Sequence, residues 1–125
     1  MIQSISTEKA SQPGGHYAQA TVFKDLIFVS GQLPITPDGK KITGDISSQT
    51  RQVLDNVKAI LEEADSGLEG VLKSTVYVSD ISLWGTVNDI YAAYFKDHKP
   101  ARAVVPTRDL HYGFLIEMEV IAVKL

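Results

Sequence analysis

The stretch Phe114-Leu115-Ile116-Glu117-Met118-Glu119-Val120-Ile121-Ala122-Val123 decides how the rest of the chain must fold. It is too rich in β-branched and large apolar residues to be a loop and lacks helical periodicity, so it reads as a strand, extending over residues 114–125. Successive side chains on a strand alternate in direction. Leu115, Glu117, Glu119, Ile121 and Val123 therefore share one face, and Phe114, Ile116, Met118, Val120 and Ala122 share the other. Both faces are substantially apolar, which marks a strand covered on both sides. The two glutamates on one face need partners or a task, because an unpaired buried carboxylate costs several kcal/mol.

Working outward, residues 101–107 form the preceding strand, and the polar, glycine-containing segment between the two strands predicts a hairpin. That pairing sets Arg102 opposite Glu117 or Glu119, within cross-strand reach. A guanidinium offers a planar fork of donors that fits a carboxylate of a glutamate or of a ligand. Two readings stand side by side. One is an ion pair tying two strands together; the other is an anion-binding Arg102 beside a glutamate that moves a proton or holds a water.

Upstream, residues 2–6 predict a short edge strand, and 17–23 and 26–32 two strands joined by Lys24-Asp25. Thr36-Pro37-Asp38-Gly39 is a turn by its proline and Asp-Gly pair. Between residues 45 and 64, Ile46, Val53, Val57, Ile60, Leu61 and Ala64 recur at helical spacing, with Asp45 as N-cap and Gly67 just past the end. Residues 71–79 read as a strand. Ser82 is the expected cap of a second helix, with Leu83, Val87, Ile90, Tyr91, Tyr94 and Phe95 as its buried stripe and an end near His98, ahead of Pro100. The order is β-β-β-α-β-α-β-β, an α+β domain spanning residues 1–125. Two amphipathic helices cover one face of such a sheet. The consecutive apolar residues of Leu26-Ile27-Phe28-Val29 and of the last strand predict that another subunit covers the second face.

Composition narrows the function. A formal net charge of −3, with 44% hydrophobic and 22% charged residues, describes an ordinary folded domain and argues against nucleic acid as a partner. There are no cysteines, which removes disulfides, thiolate metal sites and a cysteine nucleophile. The first twelve residues lack an apolar signal core, no membrane span is evident, and the expected location is the cytoplasm. His16, His98 and His111 have no ligand spacing, so no metal is expected. There is no phosphate-cradling glycine loop and no nucleophile elbow around Ser30.

Other residues have both a chemical and an ordinary explanation. Tyr17, at the start of a strand, offers a phenol to a ligand or is a plain strand tyrosine. Ser30-Gly31-Gln32 either lets backbone approach a ligand closely or forms a bulge. Asn88, which a helix interior gains little from, makes a packing or partner hydrogen bond. The polar run Gln49-Thr50-Arg51-Gln52, with Asp55, Asn56 and Lys58, reads as the solvated face of the first helix.

Taken together, Gly15-His16-Tyr17, Phe28-Val29-Ser30-Gly31-Gln32-Leu33-Pro34, Gln49-Thr50-Arg51-Gln52-Val53-Leu54-Asp55-Asn56-Val57, the segment from Thr86 to Tyr91, Pro100-Ala101-Arg102 and Ile116-Glu117-Met118-Glu119 form an ordered pattern. Over nearly its whole length the chain resembles the reactive intermediate deaminase (RidA/YjgF/YER057c/UK114) family of enamine/imine deaminases. The resemblance implies a chorismate-mutase-like fold with a six-stranded mixed sheet and two helices on one face, assembled as a homotrimeric barrel with ligand clefts between subunits. It implies hydrolysis of small 2-enamine and 2-imine acids, such as 2-aminoacrylate and 2-iminobutanoate, to 2-keto acids and ammonia, without cofactor or metal. Arg102 and Glu117 would be catalytic. Tyr17, Ser30, Gly31 and Asn88 would bind substrate together with Arg102, and Glu119 has no assigned role. A trimer that binds 2-keto acids without turnover is the alternative, and RNA cleavage, attached to some relatives, is opposed by the acidic charge. Ala103, Val104, Pro106, His111, Tyr112 and the short Lys96-Asp97-His98-Lys99 run depart from the usual pattern.

Overall fold

Alternating burial along every long strand shows how the sheet is built. The computed structural model describes residues Met1–Leu125. Its strands are β1 (Gln3–Ile5), β2 (Ala20–Phe23), β3 (Leu26–Gln32), β4 (Val71–Val78), β5 (Ala101–Pro106) and β6 (Ile116–Val123); its helices are α1 (Ile46–Glu63) and α2 (Trp84–Phe95). The element order is the expected β-β-β-α-β-α-β-β. β2 and β3 form the predicted tight hairpin, with Lys24 at a φ of 56° supplying the left-handed turn residue.

The pairing of the last strands corrects the hairpin expectation. The six strands lie in the order β1-β2-β3-β6-β4-β5, so β6 is antiparallel to both β3 and β4 and never touches β5. β5 runs parallel to β4 at the sheet edge, a connection that requires a crossover, here α2. The segment between β5 and β6 passes over the end of β4: Thr107 N–H donates to the Val78 carbonyl at 2.8 Å, and Ser79 N–H donates to the Leu115 carbonyl at 3.0 Å. The reason is burial. Ile116, Met118, Val120 and Ala122 of β6 are almost wholly inaccessible, whereas no residue of β5 is fully buried. The more apolar strand takes the centre.

Both helices pack on the face formed by Ile27, Val29, Val76, Val78, Ile116, Met118, Val120 and Ala122, where Val53, Leu54, Val57, Ile60 and Leu61 of α1 and Val87, Ile90, Tyr91 and Phe95 of α2 close the core. Asp45 caps α1 as expected, its Oδ1 accepting from Ser48 N–H at 2.7 Å. The helix ends through Asp65, at a φ of 61°, rather than through Gly67, whose φ of −173° is extended backbone. Asp80, not Ser82, opens the second helical segment: its Oδ1 accepts from Ser82 N–H at 2.8 Å and caps a 3-10 turn, Ile81–Leu83, that leads into α2. Leu83 and Tyr94 are only half-buried, and α2 stops at Phe95, with Lys96 at a φ of 57°. No helix is long and apolar enough to cross a membrane.

The opposite face of the sheet is open. Phe23, Leu26 and Phe28 are 44%, 40% and 43% exposed there, and Glu117, Glu119 and Tyr77 project from the same side. Three large apolar side chains on one sheet face are the surface left uncovered when helices occupy only the other.

Candidate active site

A bulge in β3 starts the site. The β3–β6 register runs from Val29 opposite Val120 to Gln32 opposite Met118, so Ser30 and Gly31 together face a single residue of β6. The extra residue bends the strand and frees local backbone from the ladder. The bulge expected for this segment is present, and what approaches its glycine is a side chain of the same sheet. A side chain on Gly31 would run into Glu117 Oε2, so the bare glycine is what lets the Glu117 carboxyl lie against the strand. Ser30 is anchored to the segment just ahead of β2, its Oγ donating to the Ala18 carbonyl at 2.7 Å and its N–H to the Gln19 carbonyl at 2.9 Å.

These groups open into a cleft of about 700 Å³. Tyr17, Ser30, Gly31 and Glu117 line it, so four of the six residues singled out from the sequence meet there. Tyr17 lies on the loop before β2 rather than on the strand itself; it is half-exposed, and its hydroxyl accepts from Gly14 N–H at 3.2 Å. His111 and Tyr112, which depart from the usual pattern, stand at the cleft, and Lys41 Nζ sits 4.5 Å from the centre of the Tyr112 ring. The lining thus mixes two carboxylates, Glu117 and Asp38, with phenol, hydroxyl, amide and imidazole groups.

Burial raises the Glu117 carboxyl above its ordinary pKa; His111 pulls in the other direction and neighbouring Glu119 adds to the rise. Glu119 points along the same face and is tied to β4, its Oε1 accepting from the Tyr77 hydroxyl at 2.6 Å. That bond, together with burial and the charges of both glutamates, raises the Tyr77 pKa. Tyr77 is a partner for Glu119 that the sequence reading missed.

Arg102 is elsewhere, which corrects the expected cross-strand pair. It is level with Ser74 on β4, and Ser74 is level with Val120 on β6, whereas Glu117 lies opposite Tyr77. Three residues along the strands and two strands across separate Arg102 from Glu117 by about 10 Å in each direction. Their faces also differ. Arg102 shares the helix face with Ser74 and Val120, where its Nη1 donates to Asn88 Oδ1 at 2.8 Å and its guanidinium lies 4.8 Å from the centre of the Tyr91 ring. Tyr91 donates its hydroxyl to Ser74 Oγ at 2.8 Å, which holds the ring under the arginine. The ion-pair reading within one chain is thereby excluded, and Asn88 has its explanation as the group that orients Arg102. Ala103, Val104 and Pro106 belong to this edge strand rather than to the cleft.

The polar run of α1 is a second correction in part: Arg51, Asp55 and Lys58 are exposed as expected, but three of its residues are not. Gln49, Thr50 and Asn56 are 2%, 1% and 0% exposed, not solvated. Gln49 Oε1 accepts from Leu115 N–H at 2.8 Å, and Asn56 Nδ2 donates to the carbonyls of Ile35 at 2.9 Å and Leu33 at 3.3 Å. Gln19 is equally buried: its Oε1 accepts from Thr7 N–H at 2.7 Å and its Nε2 donates to the Ser11 carbonyl at 2.9 Å. Every buried side-chain nitrogen and oxygen has a partner. A glutamine or asparagine at a core-facing helical position was the signal available in the sequence. No group of three or more histidine, aspartate or glutamate side chains is arranged to hold a metal ion.

Comparison with known proteins bears on the family and the fold. The family model described as Endoribonuclease L-PSP matches residues 7–124. A RutC family protein of Pyrococcus abyssi is 48% identical over 121 residues, covering 96% of this chain and 95% of that protein. The 2-iminobutanoate/2-iminopropanoate deaminase of Escherichia coli is 39% identical over 127 residues, with 99% of each chain covered. Among solved structures, yeast Mmf1 superposes with a TM-score of 0.97 at 39% identity over the whole of both chains. The Escherichia coli YjgF gene product superposes at 0.93 and 39% identity, covering 98% of this chain and 99% of that one. With the expected six-stranded sheet and two helices also in place, the chain belongs to the YjgF/RidA family.

Proposed function

We propose that the protein hydrolyses small 2-enamine and 2-imine acids, such as 2-aminoacrylate and 2-iminobutanoate, to 2-keto acids and ammonia. The observation that carries this reading is the half-buried Glu117 carboxyl lying against Gly31 in the cleft. A carboxyl whose pKa is raised by burial accepts and returns a proton more readily than an ordinary surface glutamate. The deaminase name of the Escherichia coli relative supports the same chemistry.

The active unit is a homotrimer whose open sheet faces close on one another around a central barrel. In it Arg102 of one copy meets the Glu117 cleft of the next, which explains why an arginine oriented by Asn88 stands on the far face of its own sheet. Arg102 clamps the substrate carboxylate and sets the imine carbon over a water near Glu117. Glu117 takes a proton from that water as its oxygen bonds to the carbon and passes it to the imine nitrogen, which gives a neutral carbinolamine. The carbinolamine then collapses: its hydroxyl gives its proton to Glu117 as the carbonyl forms, Glu117 hands that proton to the nitrogen, and the C–N bond breaks to release ammonia. Ser30, Gly31 and Tyr17 shape the wall beside the reacting carbon. Water is the only co-reactant. The protein acts in the cytoplasm on small molecules, not on nucleic acid.

The test is keto-acid formation from 2-aminoacrylate generated by a dehydratase. Acceleration by the wild type and its loss in a trimeric Arg102→Ala variant support the reading. Unchanged activity in that variant sinks it, and cleavage of RNA by nuclease-free protein would favour the endoribonuclease description of the family.

A further inference from the structure

Helix α1 reaches the cleft without lining it. Gln49 lies in its first turns, is 2% exposed, and presents Oε1 to the N–H of Leu115 at 2.8 Å. Leu115 is just ahead of β6 and two residues before Glu117, so its N–H lies outside the strand pairing and needs another acceptor. On its other side the same residue accepts from Ser79 N–H at 3.0 Å, through its carbonyl. The backbone that delivers Glu117 is thus held between a helix and the end of β4. Gln49 stands on the face of α1 whose Val53, Leu54 and Val57 are wholly buried, so its acceptor cannot drift with the loop. A glutamine at such a position costs desolvation that a leucine would not, and its observed return is one bond to the approach of Glu117.

We propose that Gln49 is a positioning residue for the site: by holding the Leu115 peptide it keeps the Glu117 carboxyl against Gly31. The inference rests on the deaminase reading for its kinetic consequence but not for its geometry. It makes Gln49 the group through which helix α1 controls Glu117, without touching substrate itself.

The experiment compares wild type, Gln49→Met and Gln49→Glu by steady-state kinetics on dehydratase-generated 2-aminoacrylate and by carbon NMR titration of the Glu117 carboxyl. Methionine fills the same space without the amide oxygen, while glutamate retains an acceptor for the Leu115 N–H. In Gln49→Met the Glu117 titration should move down toward the ordinary carboxylate range. Its kcat should fall on the order of tenfold, with KM within about twofold, because misplacement of a reacting group acts on the chemical step. Gln49→Glu should restore both. Wild-type titration and kcat in a folded Gln49→Met variant overturn the proposal, as does failure of both variants to fold, which would make Gln49 a folding element. Should the wild type not accelerate imine hydrolysis, the deaminase reading falls, while the Glu117 titration still decides the role of Gln49.

Discussion

The Glu117 carboxyl occupies the space in which a side chain at residue 31 would stand: a Cβ on Gly31 would collide with Oε2 and come within 3.1 Å of Cδ. Gly31→Ala should therefore displace Glu117 while leaving the fold intact, because the half-exposed glutamate has solvent to swing into. We expect kcat/KM on 2-aminoacrylate to fall by at least about tenfold, in line with the cost of misplacing a reacting group. Steady-state kinetics beside a thermal melt checks this; wild-type kcat/KM would separate Gly31 from the chemistry.

Glu117 also makes a prediction about pH. Its folded-state pKa is raised, chiefly by burial, so the folded protein holds this proton more tightly than the unfolded chain does. Stability contributed by the group is therefore present at low pH and is lost as pH rises through the raised value. At neutral pH Glu117→Gln should melt above wild type, and the difference should shrink below the ordinary carboxylate range, where wild type is itself protonated. Melting curves from about pH 3, below the ordinary carboxylate value of ~4.3, up to neutral pH measure it. A variant less stable than wild type at neutral pH contradicts the assignment.

The 2.8 Å bond from Arg102 to Asn88 predicts a binding phenotype. Asn88→Ala leaves the guanidinium on the Tyr91 ring but without its lateral anchor. KM for the imino acid and Kd for 2-ketobutanoate should rise about tenfold, corresponding to about 1.5 kcal/mol for one charge-assisted bond, with kcat changed less. Calorimetric titration with 2-ketobutanoate reads the binding directly. Unaltered affinity would mean that the ring alone orients the arginine.

Opposite placement of Arg102 and Glu117 on one sheet predicts complementation between subunits. Arg102→Ala and Glu117→Gln proteins should each be inactive, and activity should return when the two are unfolded together and reassembled, since in the proposed trimer a mixed assembly has a cleft with both native residues. Phe28→Asp, which puts a charge on the open face, should give smaller species by sedimentation and lose activity. Inactive mixtures of properly formed trimers would show that the two residues do not act in one cleft.

Much of this was legible without coordinates because it depends on neighbours in sequence. The 3.6-residue recurrence of Val53, Val57, Ile60 and Leu61, the Asp45 cap and the Lys24-Asp25 hairpin are local, and the structure follows them. The alternation that sets Glu117 and Glu119 on one face of β6 is equally local. The open face was legible too, since two helices cannot cover both sides of six strands.

Other features depend on which distant segments compete for the centre of the sheet. Burial of β6 between β3 and β4 outweighed the short connection to β5, and that single choice moved Arg102 to the edge and to the opposite face from Glu117. Gln49 and Asn56 read as solvated because amides are usually exposed; their burial follows from backbone groups at Leu115, Leu33 and Ile35 that only the folded chain brings to α1. The sequence by itself determined the elements, their faces and the residue types available for chemistry. Tertiary structure alone decided which of them meet, because strand order and the satisfaction of buried polar groups are settled by packing across the whole domain rather than by any local window.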